Sequence, residues 1–214
     1  MFKNIVKSFP SVKMGDLNVN LELGWAYQPD PENINYNKEY FENYINYENS
    51  KISKKLNNFR CEITKNYSTN VLDIGIGSGS FLNQLNIKKA GYDINPYGIE
   101  WLKNNNLFYD PYSVDEIEFD CITFWDVIEH ILEPFNIFKR IKKGAFLITS
   151  IPIFDKIEKV HLSKHYKPNE HLYYFTTNGF IFMMEKYGFD LCEIRSDETR
   201  VGRECILTFV FRKN

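Results

Sequence analysis

The chain has 214 residues, 43% of them apolar, and its 26 basic and 28 acidic side chains leave a formal charge of −2. That length suits one domain of ordinary size with an added element, and the apolar share is enough for a core. The charge balance excludes a global basic footprint for nucleic acid, and no apolar run approaches the roughly 20 residues of a membrane span.

The start, Met1 to Lys7, lacks the continuous apolar segment and small-residue cleavage site of a signal peptide. Cys61, Cys121, Cys192 and Cys205 are scattered without a C-x-x-C pair. They read as reduced, mostly buried thiols, and the expected location is cytoplasmic. Residues 1–35 show little periodicity and are punctuated by Gly15, Gly24 and the Pro29-Asp30-Pro31 break. Trp25, Tyr27 and Gln28 precede that break and suggest a lid over a ligand, while Tyr36 adds to the aromatic character. From Asn37 onward Tyr40, Phe41, Tyr44, Ile45 and Tyr47, then Ile52, Leu56, Phe59 and Ile63, recur at three- and four-residue intervals. The spacing predicts helices over 37–48 and 51–66. Residues 1–66 are therefore expected to form a helical N-terminal cap, and 67–214 the main domain.

Val71 to Ile74 reads as a buried parallel strand that breaks into Gly75, Gly77 and Gly79. Phe81, Leu82 and Leu85 then mark a short helix. Ala90–Ile94 is the next strand, and Pro96 opens a helix through Asn105. Leu107–Tyr109 is predicted as an edge strand and Phe119–Trp125 as an inner one. A helical pattern runs through Ile128, Ile131, Phe135, Phe138 and Ile141. Ala145–Ile153 is a further strand, and Thr176 or Thr177 caps a helix stopped by Gly188. Leu191–Arg195 and Cys205–Phe211 lack a helix between them and should form an antiparallel hairpin. The alternation predicts a mostly parallel sheet with right-handed crossovers, finished by one reversed strand.

The glycine turn suits close approach to a nucleotide-like ligand. A dinucleotide pattern G-x-G-x-x-G would require glycine where Ser80 stands. Asp73, just ahead of the turn, would repel a pyrophosphate but can pair with an amino group. Asp93 ends the second strand, where an acid can accept hydrogen bonds from both ribose hydroxyls. Asp126, Glu129 and His130 fall at i, i+3 and i+4, one face of a helix start. The stretch 161–175 concentrates three of the four histidines with Lys164 and Lys167. Glu129, His130, His165 and His171 are the candidate bases. Arg195, Arg200 and Arg203 can extend a positive rim, so the acceptor expected here is anionic or aromatic.

Three segments, Val71-Leu72-Asp73-Ile74-Gly75-x-Gly77-x-Gly79, Gly91-Tyr92-Asp93 and Phe119 through Asp126-Val127-Ile128-Glu129-His130, together resemble the class I S-adenosylmethionine-dependent methyltransferases. The D-V-I-E-H run is similar to the ubiquinone-biosynthesis O-methyltransferase subgroup. The resemblance covers roughly residues 70–212. It implies a Rossmann-like α/β fold: a seven-stranded, mostly parallel sheet with one antiparallel strand, here with the helical extension. It implies S-adenosylmethionine as cofactor, with Asp73, Gly75, Gly77 and Gly79 at the methionine end and Asp93 at the ribose. Asp110 is implied for the adenine amino group, with Tyr109 or Tyr112 stacking on the base. Trp125 and Asp126 are implied at the sulfonium end. Related enzymes place Glu-x-x-Glu-His at this point for a divalent metal; Asp126 stands here for the first Glu, and Asp126, Glu129 and His130, together with a histidine of the 161–171 loop, are the candidate ligands of a metal that is not the favoured reading. The expected function is O-methylation of a small molecule. Methylation of an RNA or nucleotide 2′-oxygen and a non-catalytic cofactor-binding scaffold are the alternatives, and nucleic acid is not the favoured partner.

Overall fold

A computed structural model of the chain describes residues 9–29, 31, 38–48 and 50–214. Met1 to Lys7, Asp30, Tyr36 and Asn37, with the side chains of Tyr40, Tyr44 and Tyr47, lie outside the described residues.

Three short strands come first: β1 (Val12–Met14), β2 (Leu17–Asn20) and β3 (Trp25–Tyr27). Helices α1 (Lys38–Glu48) and α2 (Lys51–Tyr67) follow. The alternating part contains β4 (Asn70–Ile74), α3 (Ser80–Gln84), β5 (Lys88–Tyr92), α4 (Pro96–Asn104), β6 (Cys121–Trp125), α5 (Phe135–Phe138) and β7 (Phe146–Pro152). It closes with β8 (Tyr173–Phe175), α6 (Thr177–Lys186), β9 (Phe189–Arg195), α7 (Asp197–Arg200) and β10 (Ile206–Lys213). The main sheet has six strands in the order β5-β4-β6-β7-β10-β9. β4 to β7 are parallel, and β10 runs antiparallel to both β7 and β9.

Side chains alternate across this sheet, as strand geometry requires. Val71, Cys121, Ile148 and Val210 share one apolar cluster with Cys61 of α2 and Phe81 of α3. Their neighbours Leu72, Ile122, Leu147 and Phe209 pack on the opposite side with Phe138, Phe180 and Met184. The caps agree with the residue types: Asn95 accepts from the Tyr97 amide ahead of Pro96, and Thr176 accepts from Gly179. Gly188, in a left-handed conformation at φ 76°, ends α6.

Three expectations need correction. The seventh strand, Leu107–Tyr109, survives among the described residues only as a single parallel bridge from Phe108 to Gly91, because the chain turns at once over 110–113. The N-terminal extension is not simply helical. β1, β2 and β3 form an antiparallel sheet completed by β8, with Trp25 opposite Phe175 and Tyr27 opposite Tyr173. Trp25 and Tyr27 are thus core residues and do not form a lid. Finally, the pattern over 128–141 is broken: a 3-10 turn spans Ile128–His130, Ile131 is extended, and α5 begins only after Pro134. The four cysteines are free thiols, Cys61 and Cys121 buried, Cys192 and Cys205 exposed. No helix of the described residues is long and apolar enough to cross a membrane.

Candidate active site

The carboxyl edges of β4, β5 and β6 open into one cavity of about 750 Å³, roofed by Phe41 of α1 and by one face of α2. Such a volume falls within the range of small-molecule sites, and the carboxyl edge of a parallel sheet is where they form. Asp73, Gly75, Gly77, Asp93, Trp125, Asp126, Glu129, His130, His165 and His171 all contribute to its wall.

One end is built from contiguous sequence. β4 pairs with β6 so that Asp73 faces Thr123, whose hydroxyl donates to Asp73 Oδ1 at 2.6 Å. Asp73 is 1% exposed, and burial pushes its carboxyl up to about 8. Gly75 has φ 75° and donates to the Tyr92 carbonyl at 2.8 Å; a Cβ there would meet Val127 at 2.6 Å. Gly79 has φ 77°, and a Cβ there would strike the Trp101 ring at 2.5 Å. It serves packing at the start of α3 and does not line the cavity. Asp93 takes the Asn95 amide at 2.8 Å and faces the Ile76 and Gly77 amides of the glycine turn. Burial raises its carboxyl above the usual range against those hydrogen bonds.

Beyond Asp93, Tyr92 and Tyr112 meet edge to face at 5.5 Å and both line the cavity. Asp110 and Tyr109 do not reach it. Asp110 Oδ1 is taken by the Tyr112 amide in its own turn, and Tyr109 packs on Phe119 at 5.0 Å.

The other end is assembled from distant segments. Asp126 follows β6 with φ 58°, a conformation uncommon for a residue with a Cβ. Its Oδ2 accepts from Arg60 at 3.1 Å and from Arg203 at 2.7 Å, and both arginines also pair with Glu198, which is fully buried. Burial drives the Asp126 carboxyl up, but Arg203 and Arg60 outweigh it and hold the pKa below its usual value. The Arg60 guanidinium also lies 4.9 Å from the Trp125 ring. Arg60 and Glu198 escape a reading of the sequence because the partners stand 138 positions apart and carry no periodicity.

Glu129 sits on the 3-10 turn, fully buried, and neither carboxylate oxygen has a hydrogen-bond partner. Burial, then the Asp126 charge, raises its pKa well above the ordinary value. His130 Nδ1 is likewise buried without a partner, and Nε2 stands 4.0 Å from Glu129 Oε1. The His171 ring meets His130 at 4.7 Å, edge on. His171 Nδ1 faces the His165 carbonyl at 2.9 Å, which holds the proton there and leaves Nε2 a lone pair. Burial pulls the His171 pKa down to about 3, with His130 and Lys167 adding to the effect. Ligand atoms of Glu129, His130 and His171 all lie within 4.8 Å of one another. Asp126, expected beside Glu129 and His130, does not join this group; His171 is the histidine that the 161–171 loop contributes.

The 163–171 loop is held by its surroundings. His165 Nε2 meets the Glu204 carbonyl at 2.8 Å, and Lys164 pairs with the Glu204 carboxylate at 2.8 Å. Gln28 exchanges two hydrogen bonds with Asn169, each 2.7 Å. Lys167 lines the cavity, whereas Lys164 stays outside it.

Among solved structures, a methyltransferase from Thermotoga maritima described as a possible histamine N-methyltransferase aligns with a TM-score of 0.58 at 16% identity, over 82% of this chain and 97% of that one. The magnesium protoporphyrin IX methyltransferase of Synechocystis, with bound S-adenosylhomocysteine, aligns at TM-score 0.58 and 13% identity over 84% and 96%. The N-methyltransferase NodS of Bradyrhizobium japonicum, with the same ligand, aligns at 0.52 and 14% over 82% and 97%. At such identities the likeness concerns the fold. No curated protein matches the chain. The profile of the methyltransferase domain, however, matches residues 40–194, most of the length. With the glycine turn and its two aspartates at the carboxyl edge of the sheet, this chain belongs to the methyltransferase domain family.

Proposed function

We propose that this chain transfers the methyl group of S-adenosylmethionine to an oxygen of a small-molecule acceptor. One observation carries the reading: a single cavity joins the Asp73–Gly75–Gly77–Asp93 turn to the buried Glu129–His130–His171 group. The first end fits the cofactor. Asp93 offers a carboxylate to ribose hydroxyls, Tyr92 and Tyr112 offer aromatic surface to a base, and buried acids suit an ammonium group better than a pyrophosphate. When bound, S-adenosylmethionine supplies an electrophilic methyl group on sulfur.

The residues of the second end hold the acceptor and handle its proton. Methyl transfer is an in-line displacement, so positioning supplies most of the acceleration. His171 Nε2 and His130 Nδ1 are lone-pair sites at neutral pH, and the Glu129 carboxylate beside them is unpartnered. Any of the three can take the hydroxyl proton as the oxygen attacks. His165 and Lys167 complete the wall on the acceptor side.

A second reading has its own support. Glu129, His130 and His171 form the kind of nitrogen–oxygen donor set that divalent cations take, and one ligand atom of each lies within 4.8 Å of the others. A cation there would lower the pKa of an acceptor hydroxyl.

Calorimetry with S-adenosylmethionine, S-adenosylhomocysteine and NADH tests the first reading. The two sulfur nucleosides should bind at micromolar level and NADH should not; absence of binding by either nucleoside overturns it. Labelled methyl transfer into cell extract, followed by mass spectrometry of the product, then identifies the acceptor atom. Binding without transfer to any acceptor favours a scaffold, and label in RNA favours the nucleotide alternative. Mn²⁺ or Zn²⁺ titration should give one site per chain, lost in His171→Ala with cofactor binding retained. Protein that binds neither ion, with activity untouched by a strong chelator, removes the metal.

A further inference from the structure

The end of β3 reaches the acceptor side of the cavity from behind. Tyr27 pairs with Tyr173, and the next amide, that of Gln28, donates to the Leu172 carbonyl at 2.9 Å. The Gln28 side chain then turns to Asn169. Its Nε2 donates to Asn169 Oδ1 and its Oε1 accepts from the Asn169 amide, each at 2.7 Å. Gln28 is buried and does not line the cavity, so it bears on the site only through these partners. It also precedes residue 40, where the methyltransferase-domain match begins.

His171 lies between the two residues that Gln28 holds. The turn leading to it is closed by the Glu170 and His171 amides, which donate to the Lys167 carbonyl at 3.2 and 2.8 Å. Asn169 sits within that turn at φ 68°, in the left-handed region that asparagine enters more readily than most residues. On the far side of His171, the Leu172 amide donates to the Glu129 carbonyl at 2.7 Å. A buried primary amide is costly unless both its ends are paired, and Asn169 pairs both ends of Gln28.

We infer that Gln28 is a positioning residue of the acceptor site, holding His171 in place beside Glu129 and His130 through Asn169 and Leu172. The inference rests on the acceptor-side reading above and adds to it a residue from outside the cavity. The hydrogen bond between His171 Nδ1 and the His165 carbonyl then has two separate anchors. Glu204 holds His165, which accepts; Gln28 holds the turn that carries His171, which donates.

The test changes Gln28 and leaves the cavity wall untouched. Gln28→Met keeps the length and removes both side-chain bonds. Gln28→Glu still accepts from the Asn169 amide, and a rotated Asn169 side chain can donate to it. With isotope-labelled histidine, nuclear magnetic resonance reports the tautomer of each of the four rings. His171 should be a single Nδ1–H tautomer in wild type and Gln28→Glu, and an exchanging mixture in Gln28→Met, with His161 alike in all three. Labelled methyl transfer into extract should fall roughly 10- to 100-fold in Gln28→Met, the scale of misplacing a reacting group by about an ångström, and recover in Gln28→Glu. Cofactor affinity by calorimetry should stay at the wild-type value in both. Where Gln28→Met does not fold, Asn169→Gly suits the left-handed backbone, removes the same bond from the loop side and should give the same mixture. A single His171 tautomer in the variant that breaks the bond, unchanged transfer, or cofactor affinity lost together with transfer overturns the inference. Wild-type protein that binds cofactor but methylates nothing removes the acceptor reading instead, and the tautomer measurement still decides the role of Gln28.

Discussion

The two ends of the cavity differ in how their polar groups are satisfied. At the glycine turn, Asp73 is held by Thr123, and Asp93 by the Asn95 amide and the backbone of the turn. At the other end, Glu129 has no partner for either oxygen, and His130 Nδ1 and Asp126 Oδ1 have none either. Buried polar groups are nearly always hydrogen-bonded, so clustered exceptions mark a place where a ligand completes the structure. The difference teaches that the first end is organised by its own backbone and the second awaits an external partner. Between them stands the Arg60–Glu198–Arg203–Asp126 cluster, which ties α2 and α7 to the end of β6.

The largest test of this contrast removes the hub of that cluster. Glu198→Ala leaves two guanidiniums sharing one carboxylate in a buried site. Breaking a buried pair in this way costs about 3–5 kcal/mol. Urea denaturation should show a loss of that order; a change within the usual surface range would mean the cluster is solvated and does not organise the site.

A second test should separate the glycine-turn end by its pH dependence. Asp73 has an ordinary carboxylate pKa when unfolded and about 8 when folded, because burial disfavours its charge. Between those values the folded protein holds a proton that the unfolded chain has released, so raising the pH favours unfolding. The stability tied to Asp73 is therefore full at acid pH, falls as pH rises, and is lost above about 8. Asp73→Asn keeps the shape without the charge. Its unfolding midpoint should match wild type near pH 4 and exceed it increasingly toward pH 9. Parallel profiles would show that Asp73 is not the group responsible.

The same division governs what could be read from the sequence. Asn95-Pro96, Thr176 and Gly188 act on their immediate neighbours, so helix ends were legible, and the strands of the main sheet were legible from their apolar runs. β1, β2 and β3 were not, because three- and four-residue strands have too few positions to show alternation, and their completing partner β8 lies nearly 150 residues away. The predicted strand at Leu107–Tyr109 has suitable residues but only one bridge to pair with. In the cavity, Asp73, Gly75, Gly77 and Asp93 come from short local patterns. Asp110 fits such a pattern and fails, since its own turn claims the carboxylate. His171 could be suspected from the density of histidines, but its approach to His130 depends on a loop anchored by Gln28 and Glu204. Arg60 and Glu198 meet only through the tertiary fold.

The smallest expected change in stability falls on Glu129, and it sharpens the comparison most. A buried carboxyl without a hydrogen-bond partner contributes nothing to the unliganded fold beyond its packing, and burial disfavours its charge. Glu129→Gln preserves the volume and should leave the urea midpoint close to wild type, within roughly 0.5 kcal/mol or slightly stabilised. The same variant should lose Mn²⁺ or Zn²⁺ binding if the cation reading holds, and lose methyl transfer under either reading. Cofactor affinity should persist, because Asp73 and Asp93 are untouched. A large loss of stability would instead make Glu129 part of the scaffold, and the contrast between a finished end and an unfinished one would collapse. Retained stability with retained transfer would move the proton-handling role to His130 or His171. Only a stable, cofactor-binding, inactive protein fits an acid kept unpartnered for what the cavity receives.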